Sequence, residues 1–149
     1  MRSYMVVVDE TGEADVALRY AARRAARTGG HVLILAIVSP QEFVQWGGVQ
    51  AAMEEEAHLR AEAMGLQAAS ALGEEAGLEP TVLVRHGEAV KAITDILKER
   101  DDVAVLVLAA SAEGGPGPLV SHFAGAAAGS LPCPLVIVPA HLSDAVLDR

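Results

Sequence analysis

Tyr4-Met5-Val6-Val7-Val8-Asp9, followed across Glu10–Glu13 by Ala14-Asp15-Val16-Ala17-Leu18-Arg19-Tyr20-Ala21-Ala22-Arg23-Arg24-Ala25-Ala26-Arg27, decides how the rest of the chain is read. The first run is apolar and rich in β-branched residues, with no in–out alternation. That is the pattern of a strand covered on both faces. In the second run Ala14, Ala17, Leu18, Ala21, Ala22 and Ala25 recur at helical spacing, and Arg19, Arg23, Arg24 and Arg27 take the other faces. Gly29-Gly30 supplies the stop. A covered strand feeding an amphipathic helix is the first half of a parallel βαβ unit.

The pattern continues outward from there. Further covered strands read at His31–Val38, Thr81–Arg85, Val103–Ala109 and Leu135–Pro139. A long helix is expected from near Val49 to near Ala76, with Val49, Met53, Ala57, Ala61, Met64, Ala68 and Leu72 on one face. Glu54-Glu55-Glu56 sits in its early turns, where the helix dipole favours acids. A third helix follows Gly87, with Ala89, Val90, Ile93, Ile96 and Leu97 inward. A fourth follows Pro118, carries Leu119, Val120, Phe123, Ala124, Ala127, Ala128 and Leu131, and ends at Pro132. The order β-α-β-α-β-α-β-α-β, with right-handed crossovers, predicts a doubly wound five-stranded parallel sheet with helices on both faces. The expected organisation is a single domain over 1–149, with 141–149 as a short polar tail anchored by Leu142, Val146 and Leu147.

Bulk properties narrow the function. Apolar residues make up 52% of the 149 and aromatics only 3%, so Ala, Val and Leu carry the packing. A formal charge of −9 argues against a nucleic-acid partner, which needs a basic footprint, and against an anionic membrane surface. One cysteine, Cys133, excludes an internal disulfide framework and a Cys-based zinc cluster, and reads as a small buried residue. No signal peptide or membrane span is read near the start. The expectation is a reduced, cytoplasmic protein.

Ligands of open parallel sheets bind beyond the carboxyl ends of strands, where strand order reverses. The rim residues are therefore Asp9-Glu10-Thr11-Gly12, Val38-Ser39-Pro40, His86-Gly87-Glu88 and the run Ala109–Pro118. The last is the most unusual stretch, rich in Gly and Pro between a strand and a helix, and reads either as an anion cradle or as a tight rigid connection. Asp9 suits a ribose hydroxyl, a hard metal with Glu10, or a turn or cap.

Other chemistries are read as absent. No Gly-Lys-Ser/Thr follows a strand, Gly-x-Gly-x-x-Gly is missing after the first strand, and no Gly-x-Ser-x-Gly elbow occurs. A phosphoacceptor receiver domain needs an Asp ending the third strand and a Lys beyond the fifth, where the chain has Arg85-His86 and Pro139-Ala140. The histidines at 31, 58, 86, 122 and 141 show no metal-ligand spacing. Arg23, Arg24 and Arg27 read as a solvated helix face, and Trp46 as an aromatic covering the sheet edge.

These segments together resemble the universal stress protein family over essentially the whole chain. The matching pieces are Val8-Asp9-Glu10-Thr11, the Ala-rich helix after it, His31–Val38, the Gly87 segment, Val105–Leu108 and Leu131-Pro132-Cys133-Pro134-Leu135-Val136-Ile137-Val138-Pro139. Ser39–Gly48 and the Gly-Pro-Gly-Pro-Leu-Val run look like one bacterial branch. In ATP-binding members an Asp after the first strand and backbone at the end of the second hold the adenosine, which implies Asp9 and Val38. The phosphates lie in a loop patterned Gly-x2-Gly-x9-Gly-Ser/Thr. Here those glycine positions fall on Ala109, near Ala112, and on Ser121-His122 counted back from Pro132.

The resemblance implies a cofactor-binding set of Asp9, Val38, Ala109, Ser111, Gly117, Ser121 and His122, with ATP as the possible ligand and no catalytic or metal residues. Ala109 adds a methyl where backbone would approach phosphate, while Ser121 could offer a hydroxyl at a helix N-terminus and His122 a charge. The expected function is a non-enzymatic dimeric stress-response module with weakened or lost adenine-nucleotide binding. The alternative is an ATP-binding regulatory protein using a variant Gly-Pro phosphate loop. A slow ATP hydrolase is disfavoured, since no general base, nucleophile or metal cluster is legible. A homodimer is expected through Leu135–Val138, pairing edge to edge as family members commonly do.

Overall fold

The computed structural model describes residues 2–9, 12–38 and 49–149. The readings made for Glu10, Thr11, Ser39, Pro40 and Trp46 lie outside them. Among the described residues five strands form one parallel sheet: β1 (Ser3–Val8), β2 (His31–Val38), β3 (Thr81–His86), β4 (Val103–Ala110) and β5 (Leu135–Pro139). Their order is β3-β2-β1-β4-β5. The chain winds outward from β1 in one direction and then returns to β1's other side. The reversal therefore lies between β1 and β4, and β5 is left as an edge.

Alternate residues of each strand feed two cores. Tyr4, Val6 and Val8 of β1 face α1 (Ala14–Thr28) and α2 (Val49–Ala76), while Met5 faces α3 (Ala89–Glu99) and α4 (Pro118–Ala124). Both cores are largely aliphatic, so the helices can approach closely. At Gly65 an added Cβ would come within 2.6 Å of Val82 Cγ1. The missing side chain lets α2 lie against β3.

The fourth helix is shorter than its apolar pattern suggests. It ends at Ala124, and Ala128–Ser130 form a separate 3-10 turn. Gly125 adopts φ −101°, ψ −104°, and the amide bonding changes: Ala127 N–H donates to His122 and Ala128 N–H to Gly125. The run Gly125-Ala126-Ala127-Ala128-Gly129 has no large side chain to reward a continued helix, so alanine propensity alone does not carry it.

The start of β1 is tied to the loop before β4. Ser3 is fully buried, its Oγ donates to Asp102 Oδ2 at 2.7 Å, and Arg100 donates to both carboxylate oxygens at 3.0 Å. The Arg100 hydrogen bond, then that from Ser3, lowers the Asp102 carboxyl from its ordinary 3.8 to about 2. A depressed carboxyl pKa stabilises the fold above the unfolded value and loses that contribution as pH falls from about 4 through about 2. Solvent screening leaves about 1 kcal/mol of it. Asp102→Asn should therefore lose about 1 kcal/mol at pH 7 and only a small part of that at pH 2, where the folded carboxyl is half ionised, measured by urea denaturation at both pH values. An unchanged difference at low pH would contradict the assignment.

Candidate functional site

The strand order brings the carboxyl ends of β2, β1 and β4 side by side, and with them Val38, Asp9 and the start of the 111–117 loop. Val38 closes β2, and its carbonyl accepts the Gly87 amide at 3.0 Å. Ala109 is opposite Val138 in the sheet, with its side chain against the α1–α2 core.

Asp9 stands at the head of a groove of about 770 Å³ between α1 and α2. Its floor is apolar, from Leu18, Met64, Ala68 and Leu72. Its rim is polar, from Asp9, Asp15, Arg19, Gln67 and Asp144. Three of those five are acids and one is a base, so the groove suits a neutral or cationic group over an apolar body. Sequence reasoning found only Asp9 of this set.

Arg19 is itself committed. It donates to Asp144 Oδ1 at 2.6 Å, and Arg23 joins the same oxygen at 3.0 Å while also pairing with Asp148. Arg27 donates to the Asp148 carbonyl at 2.7 Å. The arginines at 23 and 27 are thus not a simply solvated face: they clamp the tail, where α5 (Asp144–Leu147) begins under a Ser143 cap and seats Leu147 in the core. Hydrogen bonding from Arg19 holds the Asp144 carboxyl below its ordinary value, and Asp148 holds Arg23 above its own. The signal that could have revealed this is the shared helical spacing of 19, 23 and 27 on one side with 144 and 148 on the other.

The loop after β4 bonds largely to itself. Ser111 N–H donates to the Pro116 carbonyl at 3.3 Å, Ser111 Oγ donates to the Glu113 carbonyl at 2.8 Å, and Glu113 N–H reaches back to that hydroxyl at 3.4 Å. Gly114, Gly115 and Gly117 take φ of 73°, 92° and 100°, which a side chain would strain. Pro116 and Pro118 have no amide hydrogen, so at most Ala112, Gly114, Gly115 and Gly117 remain as donors between 111 and 118.

Ser121 and His122 follow that loop in sequence. Both are inside α4 rather than at its start, because the helix begins at Pro118. The Ser121 amide donates to the Gly117 carbonyl at 3.0 Å. His122 meets Phe123 edge-on, with ring centroids 5.0 Å apart, and its charge acts on Glu88, the acid that caps α3 by accepting from Val90 and Lys91. The helix that carries them packs through Val120 and Phe123 against α3 and β4, on the face opposite the groove. Among the described residues no group of three or more His, Cys, Asp and Glu is placed to hold a metal ion, and no helix is long and apolar enough to cross a membrane.

A five-stranded parallel sheet with its reversal between β1 and β4, and a groove headed by the β1 carboxylate, defines the doubly wound α/β class. Within that class the sequence matches the universal stress protein family over residues 1–139, and the chain belongs to that family. Solved structures agree in fold. The universal stress protein UspA of Lactobacillus plantarum superposes with a TM-score of 0.78 at 17% identity, over 92% of this chain and 97% of that one. A universal stress protein of Archaeoglobus fulgidus in complex with dAMP gives 0.60 at 18%, over 93% and 98%. A universal stress protein in complex with cAMP gives 0.62 at 17%, over 92% and 96%. No curated protein sequence matches.

Proposed function

We propose that this chain is a non-enzymatic, dimeric stress-response module in which adenine-nucleotide binding is weakened. The complexes of similar folds with dAMP and cAMP support an adenosine-type ligand at the β1 rim, where Asp9 heads the groove. The observation that carries the weakening is the 111–117 loop. Two prolines lack donors, Ser111 and Glu113 spend their amides inside the loop, and Glu113 adds a negative charge to it. Ala109 and Ala112 add methyls at the positions where the resemblance places backbone against phosphate. The reading as a dimer rests on β5, an edge strand with Ile137 39% exposed and, among the described residues, no strand pairing its outer side.

The test is to heat-denature freshly purified protein, chromatograph the supernatant for nucleotide, and follow melting as ATP with Mg²⁺ is added. No released nucleotide is expected. A millimolar site at about 5 mM ATP stabilises by only about 1 kcal/mol, a rise of about 2–4 °C. Asp9→Ala should remove most of that rise, and the same preparation should sediment as a dimer at micromolar concentration. Copurifying ATP, or a rise above about 10 °C, would instead support a working Gly-Pro phosphate loop, since a micromolar site stabilises by about 5 kcal/mol at that concentration.

A further inference from the structure

His58 and His86 are 28 residues apart, a separation with no ligand-pair meaning in sequence, yet their rings meet. The close approach at Gly65 and Val82 brings them together. From that contact α2 climbs about 10 Å back to His58, and β3 runs about 13 Å forward to His86, so the two side chains come level at the sheet's rim. His58 Nδ1 lies 2.7 Å from His86 Nε2, with the ring planes within 6° and the centroids 4.8 Å apart. A contact that short rules out face-to-face stacking, in which no atoms of the two rings approach within hydrogen-bond distance. The rings meet edge to edge with nitrogens facing in-plane, the direction of an imidazole lone pair.

Glu62, one turn along α2, faces the other nitrogen of His58, with Oε2 3.5 Å from Nε2. A carboxylate there favours the proton on Nε2 and leaves the Nδ1 lone pair aimed at His86. If His86 carries its proton on Nδ1, both facing nitrogens are neutral donors to one ion. Neighbouring charges are engaged elsewhere: Arg85 pairs with Glu99, and Glu88 caps α3. His58 is 39% exposed and His86 is exposed, so an ion and its waters can reach both.

We propose that His58 and His86 form a two-imidazole site for a divalent transition metal of the copper, nickel or zinc class, with Glu62 as the residue that positions His58. Metal–nitrogen bonds of about 2.0–2.1 Å at tetrahedral or square-planar angles set the two nitrogens about 2.8–3.4 Å apart. Because the two lone pairs now point at each other, the rings must part slightly and each must also turn by about 35–45° until both lone pairs converge on the ion, a side-chain rotation open to exposed histidines. On binding, His86 moves its proton from Nε2 to Nδ1, the ion takes the two facing lone pairs, and water completes its coordination. No proton is gained or lost by the pair. Imidazole ligands and open coordination favour copper(II) over nickel(II) and zinc(II).

The experiment is calorimetric titration of tag-free, chelator-treated protein with CuCl₂, NiCl₂ and ZnCl₂, with imidazole nitrogen NMR on the zinc-loaded sample. One ion per chain is expected, copper binding tightest, with zinc shifting His58 Nδ1 and His86 Nε2. His58→Ala or His86→Ala should each weaken binding about a hundredfold by removing the chelate, Glu62→Gln by about tenfold, and His141→Ala not at all. Binding that survives both histidine substitutions, or NMR shifts at the other histidines, would overturn the site. So would the absence of binding, which would leave the pair as a proton-sharing hydrogen bond. These variants leave Asp9 and the 111–117 loop untouched, so the result is independent of nucleotide binding.

Discussion

Phe123→Ala should lower stability by about 3–5 kcal/mol and the melting temperature by about 8–16 °C. Phe123 is 1% exposed and is the largest fully buried side chain of the described residues. It joins Val120 of α4 to Ile93, Ile96 and Leu97 of α3 and to Leu106 and Leu108 of β4. Its neighbours in that core are aliphatic side chains already packed in place, so the space left is refilled only in part. A helix as short as α4 has too few hydrogen bonds to persist without packing. The substitution should therefore free Pro118–Ala124 along with the loop before it, and limited proteolysis should cut between 111 and 125. Phe123→Leu keeps most of the volume and should cost under about 1.5 kcal/mol. Urea denaturation of both variants reads the difference. A loss below about 1 kcal/mol for the alanine variant would mean that α4 does not depend on this anchor.

The covered strands and the helices α1 to α3 were legible because each is written in local periodicity, and their ends fall within a residue of the pattern. Helix α2 spans Val49–Ala76 as its apolar face implies. The pattern overran at α4, where alanines continue a helical spacing that Gly125 breaks, since small side chains record propensity but not burial. Asp9 was legible from the strand-end rule alone. The rest of its groove was not, because Arg19, Met64 and Asp144 come from three elements that only the folded sheet assembles. Ser121 and His122 were placed by counting back from Pro132, and that count assumes a helix starting at the pair. The helix begins at Pro118, as its first-turn proline implied, so the two residues are the fourth and fifth of its seven.

Leu147→Ala should cost about 2 kcal/mol, more than removing both tail carboxylates. Leu147 is 8% exposed and packs into the α1 side of the core, so its truncation loses transfer free energy and leaves a gap. Asp144 and Asp148 meet α1 with side chains 61% and 59% exposed, where water and salt screen each ion pair. Burial therefore docks the tail, and the arginine ladder sets its register and brings Asp144 to the rim of the groove. The two contributions separate by salt. Asp144→Asn with Asp148→Asn should lower the urea midpoint less than Leu147→Ala does in dilute buffer, and almost not at all at about 1 M salt, where the screening length falls to about 3 Å. The loss from Leu147→Ala should persist at both. Hydrogen exchange should show the amides of Asp148 and Arg149, bonded to Asp144 and Val146, opening faster in Leu147→Ala than in the double variant. The reverse ranking would mean that the ion pairs hold the tail. The groove wall would then be salt-sensitive, with Asp144 leaving the rim as ionic strength rises.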